Sequence, residues 1–324
     1  MIDVRVAGIE VCNELVRCFT LQPLQGATLP GYTAGSHVRV QVRLADGASD
    51  WRAYSLVELG PDVDTTQAQS SYRIAVRLEQ PGRGGSRFMH ALQHDELLHI
   101  EAPRNDFELQ PAAGQGVLLV AGGIGVTPLT AMAARCRGAG IPVRMVYAGR
   151  SRALMAFVPE LQRLLGGSLY LHVDEQAGAA LDLGRLLGAC APHEQVYLCG
   201  PAAMLDAARA AAEAQGWPAD RLRFESFTAA VPQAQDRAFD VVLAQSGRTL
   251  TVAADQTILD CLLEHGHDPL FDCRRGDCGV CAVPVLEGEI DHRDHVLGAA
   301  ERACGKVIQI CISRALGQRL VLDL

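Results

Sequence analysis

Cys273-Arg-Arg-Gly-Asp-Cys278-Gly-Val-Cys281 spaces three thiols as C-x4-C-x2-C, and Cys311 lies beyond 29 intervening residues. Thiolate sulfur is the soft, charge-donating ligand that iron–sulfur clusters require. The spacing is that of a plant-type loop gripping a [2Fe–2S] cluster, which passes one electron at a time. Three sulfurs meet only if the loop bends tightly, and Gly276 and Gly279 supply that freedom. A four-cysteine zinc site competes with this reading, but such sites usually pair short C-x2-C knuckles, two thiols in each. Cys304 competes with Cys311 for the fourth place. Cys311 is preferred because Val307-Ile-Gln-Ile-Cys-Ile-Ser313 reads as a strand that presents one thiol at a fixed position. The expected metal ligands are therefore Cys273, Cys278, Cys281 and Cys311.

The rest of the chain should show where the electrons come from. It has 324 residues, 49% of them hydrophobic, which allows two or three domains with substantial cores. The net charge of −8 comes with no basic block, which argues against nucleic acid and against an anionic membrane surface. The first ten residues lack the basic and apolar regions of a secretory signal. No run of about 18 apolar residues could span a membrane. Eleven cysteines are then expected to be reduced thiols in a cytoplasmic protein. The seven outside the cluster set are read as small hydrophobes.

Three segments differ in pattern. Residues 1–110 are β-rich: Val38–Leu44 and Tyr72–Leu78 alternate apolar and polar residues, and Asp46-Gly47 and Pro81-Gly82 mark turns. That predicts an antiparallel β-barrel. Residues 111–227 alternate short apolar strands (Val117–Ala121, Val143–Tyr147, Leu169–Val173, Val196–Cys199) with helices such as Leu129–Arg137 and Ala202–Ala214. That predicts an α/β domain with a parallel, doubly wound sheet. Residues 228–237 carry no periodicity and read as a linker. Residues 238–324 open with two strands around Ser246-Gly247, continue with the amphipathic segment Thr257–Glu264, and then reach the cysteine loop. The fold class is thus multidomain: antiparallel β-barrel, α/β parallel sheet and α+β module.

Two glycine-bearing stretches suit nucleotides. Arg52-Ala-Tyr54-Ser55-Leu56 is read at the start of a barrel strand. Tyr54 can pack on an isoalloxazine ring, Ser55 can hydrogen-bond its polar edge, and Arg52 can pair with a phosphate. The strand Tyr72–Leu78, which contains Ala75 and Val76, leads into Gly82-Arg-Gly84-Gly85-Ser86, whose backbone N–H groups open a helix and form a phosphate site. Gly122-Gly123-Ile-Gly125-Val-Thr127-Pro128 follows a strand and opens another helix, so its amides can approach a pyrophosphate. Cys199-Gly200-Pro201 ends a later strand of the same sheet, at the edge where ligands bind. Arg150 ends a third strand there, as a nucleotide contact or a solvated surface residue.

Together these stretches closely resemble the phthalate dioxygenase reductase family, within the ferredoxin–NADP reductase superfamily. The resemblance covers essentially the whole chain and rests on Arg52–Ser55, Gly84–Ser86, Gly122–Pro128, Cys199–Pro201, Phe224–Phe227 and the four cysteines. It implies a flavin barrel, a nucleotide domain and a β-grasp ferredoxin domain, in that order. It further implies hydride transfer from NADH to FMN, then single electrons through the cluster to the Rieske centre of a separate oxygenase, of the aromatic dioxygenase or demethylase type. FMN would be held by Arg52, Tyr54, Ser55, Leu56, Ala75, Val76, Gly84, Gly85 and Ser86. NADH would be held by Gly122, Gly123, Gly125, Arg150, Gly200 and Pro201. Thr127 and Cys199 would lie at the flavin–nicotinamide contact, and Phe227 would cover the flavin face.

The Gly-Gly-Ser loop resembles FMN members, whereas FAD relatives usually carry a different loop. Arg150 and Arg152 would tolerate the extra phosphate of NADPH, and Asp174 or Glu175 would repel it. Arg274-Arg275 departs from the relatives, many of which have an acidic residue after the first arginine. A monomer is expected. A flavin reconciles a two-electron donor with a one-electron cluster, so no acid–base triad is expected. Two other readings are an FAD reductase for another multicomponent monooxygenase and a non-catalytic metal-binding or redox-sensing module. Intact Arg52, Ser55, Gly123 and Gly125 argue against the second.

Overall fold

The computed structural model describes all residues except 25, 80, 81, 83, 113, 219, 228–232 and 234. The period-two alternation of the N-terminal segment forms six strands: β1 (Ile2–Val11), β2 (Val16–Pro23), β3 (His37–Arg43), β4 (Ser49–Ser55), β5 (Tyr72–Arg77) and β6 (Leu97–Ile100). Their order is β4-β3-β6-β1-β2-β5, and every neighbouring pair is antiparallel. A bridge between Leu56 and Ile74 joins the two outer strands, which closes the ring. In β3 the inward residues Val38, Val40 and Val42 are buried, while Arg43 is exposed. Helix α1 (Gly85–Ala91) adds Met89 to this core. Closure removes the free strand edges that would otherwise pair with other chains.

The middle segment forms β7 (Gly116–Gly122), β8 (Val143–Gly149), β9 (Leu169–Val173), β10 (Glu194–Gly200) and β11 (Leu222–Ser226), with helices α2 (Val126–Gly138), α3 (Val158–Leu165), α4 (Asp174–Ala177), α5 (Leu183–Gly188) and α6 (Ala202–Ala214). The order is β11-β10-β7-β8-β9, and β7 pairs parallel with both β8 and β10. Every residue of β7 is buried, which is why it reads as one apolar run instead of alternating. The chain leaves β7 toward β8 and β9, then crosses back to β10 on the other side of β7. A crevice therefore opens between the carboxyl ends of β7 and β10, the switch point where ligands bind in such sheets.

Strand β11 was not foreseen. Leu222-Arg-Phe-Glu-Ser226 is an edge strand with charged residues in it, so it shows no apolar run. Barrel and parallel sheet belong to one compact unit, Met1–Glu225, and Ser226–Leu324 forms a second. Within the first, Asn13 Nδ2 donates to the Leu154 carbonyl at 3.1 Å, and the Arg73 guanidinium lies 5.3 Å from the centre of the Phe157 ring.

The second unit contains β12 (Phe239–Leu243), β13 (Thr249–Val252), α7 (Ile258–Glu264), β14 (Ala282–Glu287), β15 (Ile290–Asp291), α8 (Ala299–Cys304), β16 (Val307–Gln309), β17 (Arg314–Ala315) and β18 (Arg319–Leu322). Its main sheet has the order β13-β12-β18-β14-β16. Parallel β12 and β18 lie between antiparallel neighbours, and α7 contributes Ile258, Leu259 and Leu262 to the core beneath. That is the expected β-grasp. Thr257 caps α7, its hydroxyl accepting from the Asp260 N–H at 3.0 Å.

One expectation needs correction. The predicted strand Val307–Ser313 ends at Gln309, and Cys311 sits in the following turn. Ile310, Cys311 and Ile312 are apolar because all three are buried. A short apolar run does not distinguish a strand from a buried turn. The linker 228–237 lies largely outside the described residues, but its end is anchored. Asp236 is buried and accepts from Arg293 Nη1 at 2.9 Å and Nη2 at 2.5 Å. Arg314 Nε is 3.9 Å away.

Hydrogen bonds from Arg293 hold the Asp236 carboxyl down at about 2. A depressed folded-state value means that the pair stabilises the fold above the ordinary carboxylate range and ceases to as pH falls toward 2. Asp236→Asn is therefore expected to melt the second unit at a lower temperature at neutral pH. The gap to the parent chain should narrow as pH drops from about 5 toward about 2. Scanning calorimetry across that range checks it, and a gap independent of pH would remove the carboxylate's charge from the account.

Candidate functional site

Arg52-Ala-Tyr-Ser55 ends β4 instead of starting a strand. Pairing with β3 runs to Ser55 opposite His37. The chain then crosses over: the Leu56 N–H donates to the Ser36 carbonyl and the Val57 N–H to the Arg73 carbonyl, both at 2.8 Å. Arg52 Nη1 is held by Asp50 Oδ2 at 2.5 Å and by the Trp51 carbonyl at 2.9 Å. Its Nη2 and the Ser55 hydroxyl are buried without partners among the described residues. A buried polar atom left unpaired costs about 1–3 kcal/mol, so this pocket suits an anionic, hydrogen-bonding ligand.

The glycine loop lies against the same guanidinium. A Cβ on Gly85 would sit 2.9 Å from Arg52 Nε, and Gly84 has φ +99°, which only glycine adopts readily. Ser86 Oγ accepts from the Glu79 N–H at 3.0 Å. Burial raises the Tyr54 phenol above its ordinary range, so it stays neutral and packs against the barrel core. Ala75 and Val76 are buried in β5. The Val76 carbonyl meets His90 Nε2 at 2.9 Å, and Arg17 donates to the His90 carbonyl at 2.7 Å. His90 thus ties α1 to the barrel wall.

If Arg52 carries the phosphate charge, Arg52→Ala should weaken flavin binding by about 10- to 100-fold, the value of one or two charge-assisted hydrogen bonds. Fluorescence titration of the flavin-free chain measures this. Unaltered affinity would remove Arg52 from the site.

The nucleotide crevice is a backbone-to-backbone contact. A Cβ on Gly122 would meet Met204 Sδ at 2.6 Å and Pro201 Cδ at 2.8 Å. One on Gly125 would lie 2.5 Å from the Cys199 carbonyl carbon. One on Gly200 would be 3.2 Å from Gly122 Cα. Gly123 has φ +56° with open space around it. The two glycine stretches foreseen separately are therefore one structure at the switch point.

Thr127 is buried, its Oγ1 donating to the Ile124 carbonyl at 3.0 Å, which shapes the turn into α2. The Cys199 side chain is fully buried in β10. Arg150 is exposed at the end of β8, and its carbonyl accepts from the Glu175 N–H at 3.1 Å. The ends of β8 and β9 are thus locked side by side, with Asp174 and Glu175 at that edge. Phe227 follows β11 and is half-buried.

In the second unit the four cluster-set thiols adjoin one another. Cys273 and Cys278 hydrogen-bond to each other, Cys281 and Cys311 do likewise, and Cys273 also reaches Cys311. Hydrogen bonds from Cys278 and then Cys311 push the Cys273 thiol down, and those from Cys273 push Cys278 and Cys311 up. The Arg275 N–H donates to Cys273 Sγ at 3.3 Å, and Cys281 Sγ lies 3.4 Å from Gln309 Oε1. Among the described residues no three His, Cys, Asp or Glu side chains converge on one ion-sized point. Contact among the four thiols fits the four-thiolate donor set of a [2Fe–2S] cluster, which Cys273, Cys278, Cys281 and Cys311 would hold.

Both loop glycines have positive φ, +80° at Gly276 and +75° at Gly279. Cys304 is exposed at the end of α8, whereas Cys311 is buried beside the other three. All eleven cysteines are free thiols. Arg274 is engaged by Asp260 Oδ1 at 2.9 Å and by the Phe271 ring, with its carbon 4.6 Å from the ring centre.

Residues 241–316 match the 2Fe-2S iron-sulfur cluster binding domain. Over its full length the chain is 40% identical to the carnitine monooxygenase reductase subunit of Escherichia coli, covering 98% of that protein. Phthalate dioxygenase reductase, described as a modular structure for electron transfer from pyridine nucleotides to [2Fe–2S], superposes with a TM-score of 0.72 at 33% identity, 99% of this chain on 97% of that one. The chain belongs to the phthalate dioxygenase reductase family. The heme-dependent oxidative N-demethylase beta subunit of Ectopseudomonas mendocina is also 40% identical, over 100% of this chain and 99% of that one. Like the rest of the family, the chain is an oxidoreductase, and the barrel, nucleotide sheet and ferredoxin fold expected from the sequence are all present. Among the described residues no helix is long and apolar enough to cross a membrane.

Proposed function

We propose that this chain is the NADH-dependent reductase component of a Rieske oxygenase system, of the aromatic dioxygenase or demethylase type. The observation that carries the reading is one polypeptide with three fitted sites. These are the unpaired Arg52 and Ser55 atoms beside the Gly84–Ser86 loop, the glycine-only crevice of Gly122, Gly125 and Gly200, and the four-thiol set. When bound, FMN supplies the exchange of two electrons for single ones, and the [2Fe–2S] cluster supplies the one-electron carrier.

The protein contributes position. Arg52 neutralises the flavin phosphate, and Ser55 meets the polar ring edge. Gly84 and Gly85 let the loop amides approach that phosphate. Gly123 and Gly125 do the same for the dinucleotide. Thr127, whose hydroxyl is committed to Ile124, holds the turn in shape instead of donating to substrate. Cys199 acts through its main chain, against which Gly125 rests. Phe227 would screen the flavin face, and Asp174 and Glu175 would disfavour the extra phosphate of NADPH. The proposal includes a working division into residues 1–110, 111–227, 228–237 and 238–324, and a monomeric cytoplasmic protein.

A haem acceptor is the second reading, because the heme-dependent demethylase relative is as similar as the carnitine one. Reconstituted turnover separates them. Product formation coupled to NADH oxidation with a Rieske oxygenase, and none with a haem oxygenase, supports the proposal. The reverse result assigns the haem acceptor.

A further inference from the structure

Asp294 is fully buried in the second unit, and nothing in the electron path uses it. Its carboxylate is shared between separate segments. Oδ1 accepts from Ser313 Oγ at 3.2 Å and lies 3.4 Å from His292 Nδ1. Oδ2 accepts from the Leu297 N–H at 3.0 Å and lies 3.7 Å from Arg302 Nη2. Arg302 Nη2 also donates to the Asp294 carbonyl at 2.5 Å.

The main chain at this point is pressed against the cysteine loop. The His295 N–H donates to the Gly276 carbonyl at 2.9 Å. A Cβ on Gly276 would sit 2.9 Å from Asp294 Cα and 2.8 Å from Ile312 Cγ2. Gly276 lies inside Cys273–Cys281, and Ser313 is two residues past Cys311. Asp294 thus touches both sides: its main chain packs against the loop that carries three thiols, and its carboxylate is hydrogen-bonded to Ser313, beside the turn that carries the fourth.

We propose that Asp294 is a positioning residue for the cluster, fixing the distance between the Cys273–Cys281 loop and the Cys311 turn. The inference rests on the four cysteines being the cluster ligands. Asparagine keeps the shape but replaces one acceptor oxygen with a donor and removes the charge facing Arg302, so the Leu297 N–H and the Ser313 hydroxyl can no longer each donate to a carboxylate oxygen. Groups behind a metal's ligands hold them in place, and losing one typically costs about 10- to 100-fold in metal affinity.

The test compares the full-length parent with Asp294→Asn and Ser313→Ala. Iron and acid-labile sulfide per chain, the electron paramagnetic resonance spectrum after dithionite reduction, and the rate of bleaching by an iron chelator are measured. NADH–ferricyanide activity, which needs only the flavin half, serves as the control. We expect Asp294→Asn to lose its cluster about tenfold faster or more and to show an altered spectrum, with ferricyanide activity retained. Ser313→Ala, which removes the hydroxyl's bonds to Asp294 and from the Arg293 N–H but leaves the carboxylate its other partners, should shift the spectrum in the same direction by less.

Identical spectra and chelation rates in all three chains would overturn the assignment. Should Asp294→Asn fail to fold, Ser313→Ala decides alone: a shifted spectrum supports the inference and an unshifted one ends it. A parent chain with neither iron nor sulfide would instead defeat the cluster reading.

Discussion

Cys278→Ser is expected to stop electron delivery to a one-electron protein acceptor while NADH still reduces the flavin. The Cys278 thiol is half of the Cys273–Cys278 pair, and a hydroxyl is a harder, poorer donor to iron than thiolate. Loss of a group behind a ligand already costs about 10- to 100-fold, so loss of the ligand itself should lower cytochrome c reduction by about 100-fold or more. Ferricyanide, which takes electrons from the flavin directly, should be reduced at nearly the parent rate. Cys304→Ser should leave both rates unaltered, because Cys304 is exposed at the end of α8, away from the four-thiol set. Equal loss in the two serine variants would mean that the fourth ligand was misassigned.

Gly125→Ala should give the opposite pattern. The backbone at Gly125 has an ordinary φ of −59°, so the penalty is steric alone. The added methyl would lie 2.5 Å from the Cys199 carbonyl carbon and closer still to its oxygen. Main chain cannot rotate away as a side chain can, so the ends of β7 and β10 must part. A displacement of about 1 Å at a reacting centre costs about 100-fold in rate. We expect kcat/KM for NADH to fall by about that factor in both the ferricyanide and cytochrome c assays. The flavin and cluster absorbance should persist, since both sites lie elsewhere. An unimpaired kcat/KM would show that the crevice does not hold the nicotinamide nucleotide.

What the sequence disclosed was whatever repeats locally. Alternation in Val38–Leu44 announced β3, the unbroken apolar run Val117–Ala121 announced a strand covered on both faces, and C-x4-C-x2-C announced the cluster loop. What it hid depends on pairing between distant residues. Strand β11 is stabilised at a sheet edge by its neighbour β10, so its own composition is unremarkable. Asp50 beside Arg52 is a strand neighbour on the same face, a signal that period-two reading could have found. Asp236 and Asp294 look like ordinary polar loop residues until Arg293 and Ser313 arrive from 57 and 19 residues away. The reason for preferring Cys311 over Cys304 is partly mistaken, since burial in a turn and not strand geometry fixes its thiol.

An anaerobic NADH titration of the purified chain, followed by visible absorbance and electron paramagnetic resonance, bears most directly on the conversion of hydride into single electrons. The account predicts bleaching of the flavin together with the signal of a reduced [2Fe–2S] cluster, two electrons settling on the first and one on the second. In Cys278→Ser the same titration should end once the flavin is bleached. A parent chain whose flavin bleaches while its cluster stays oxidised would contradict the account.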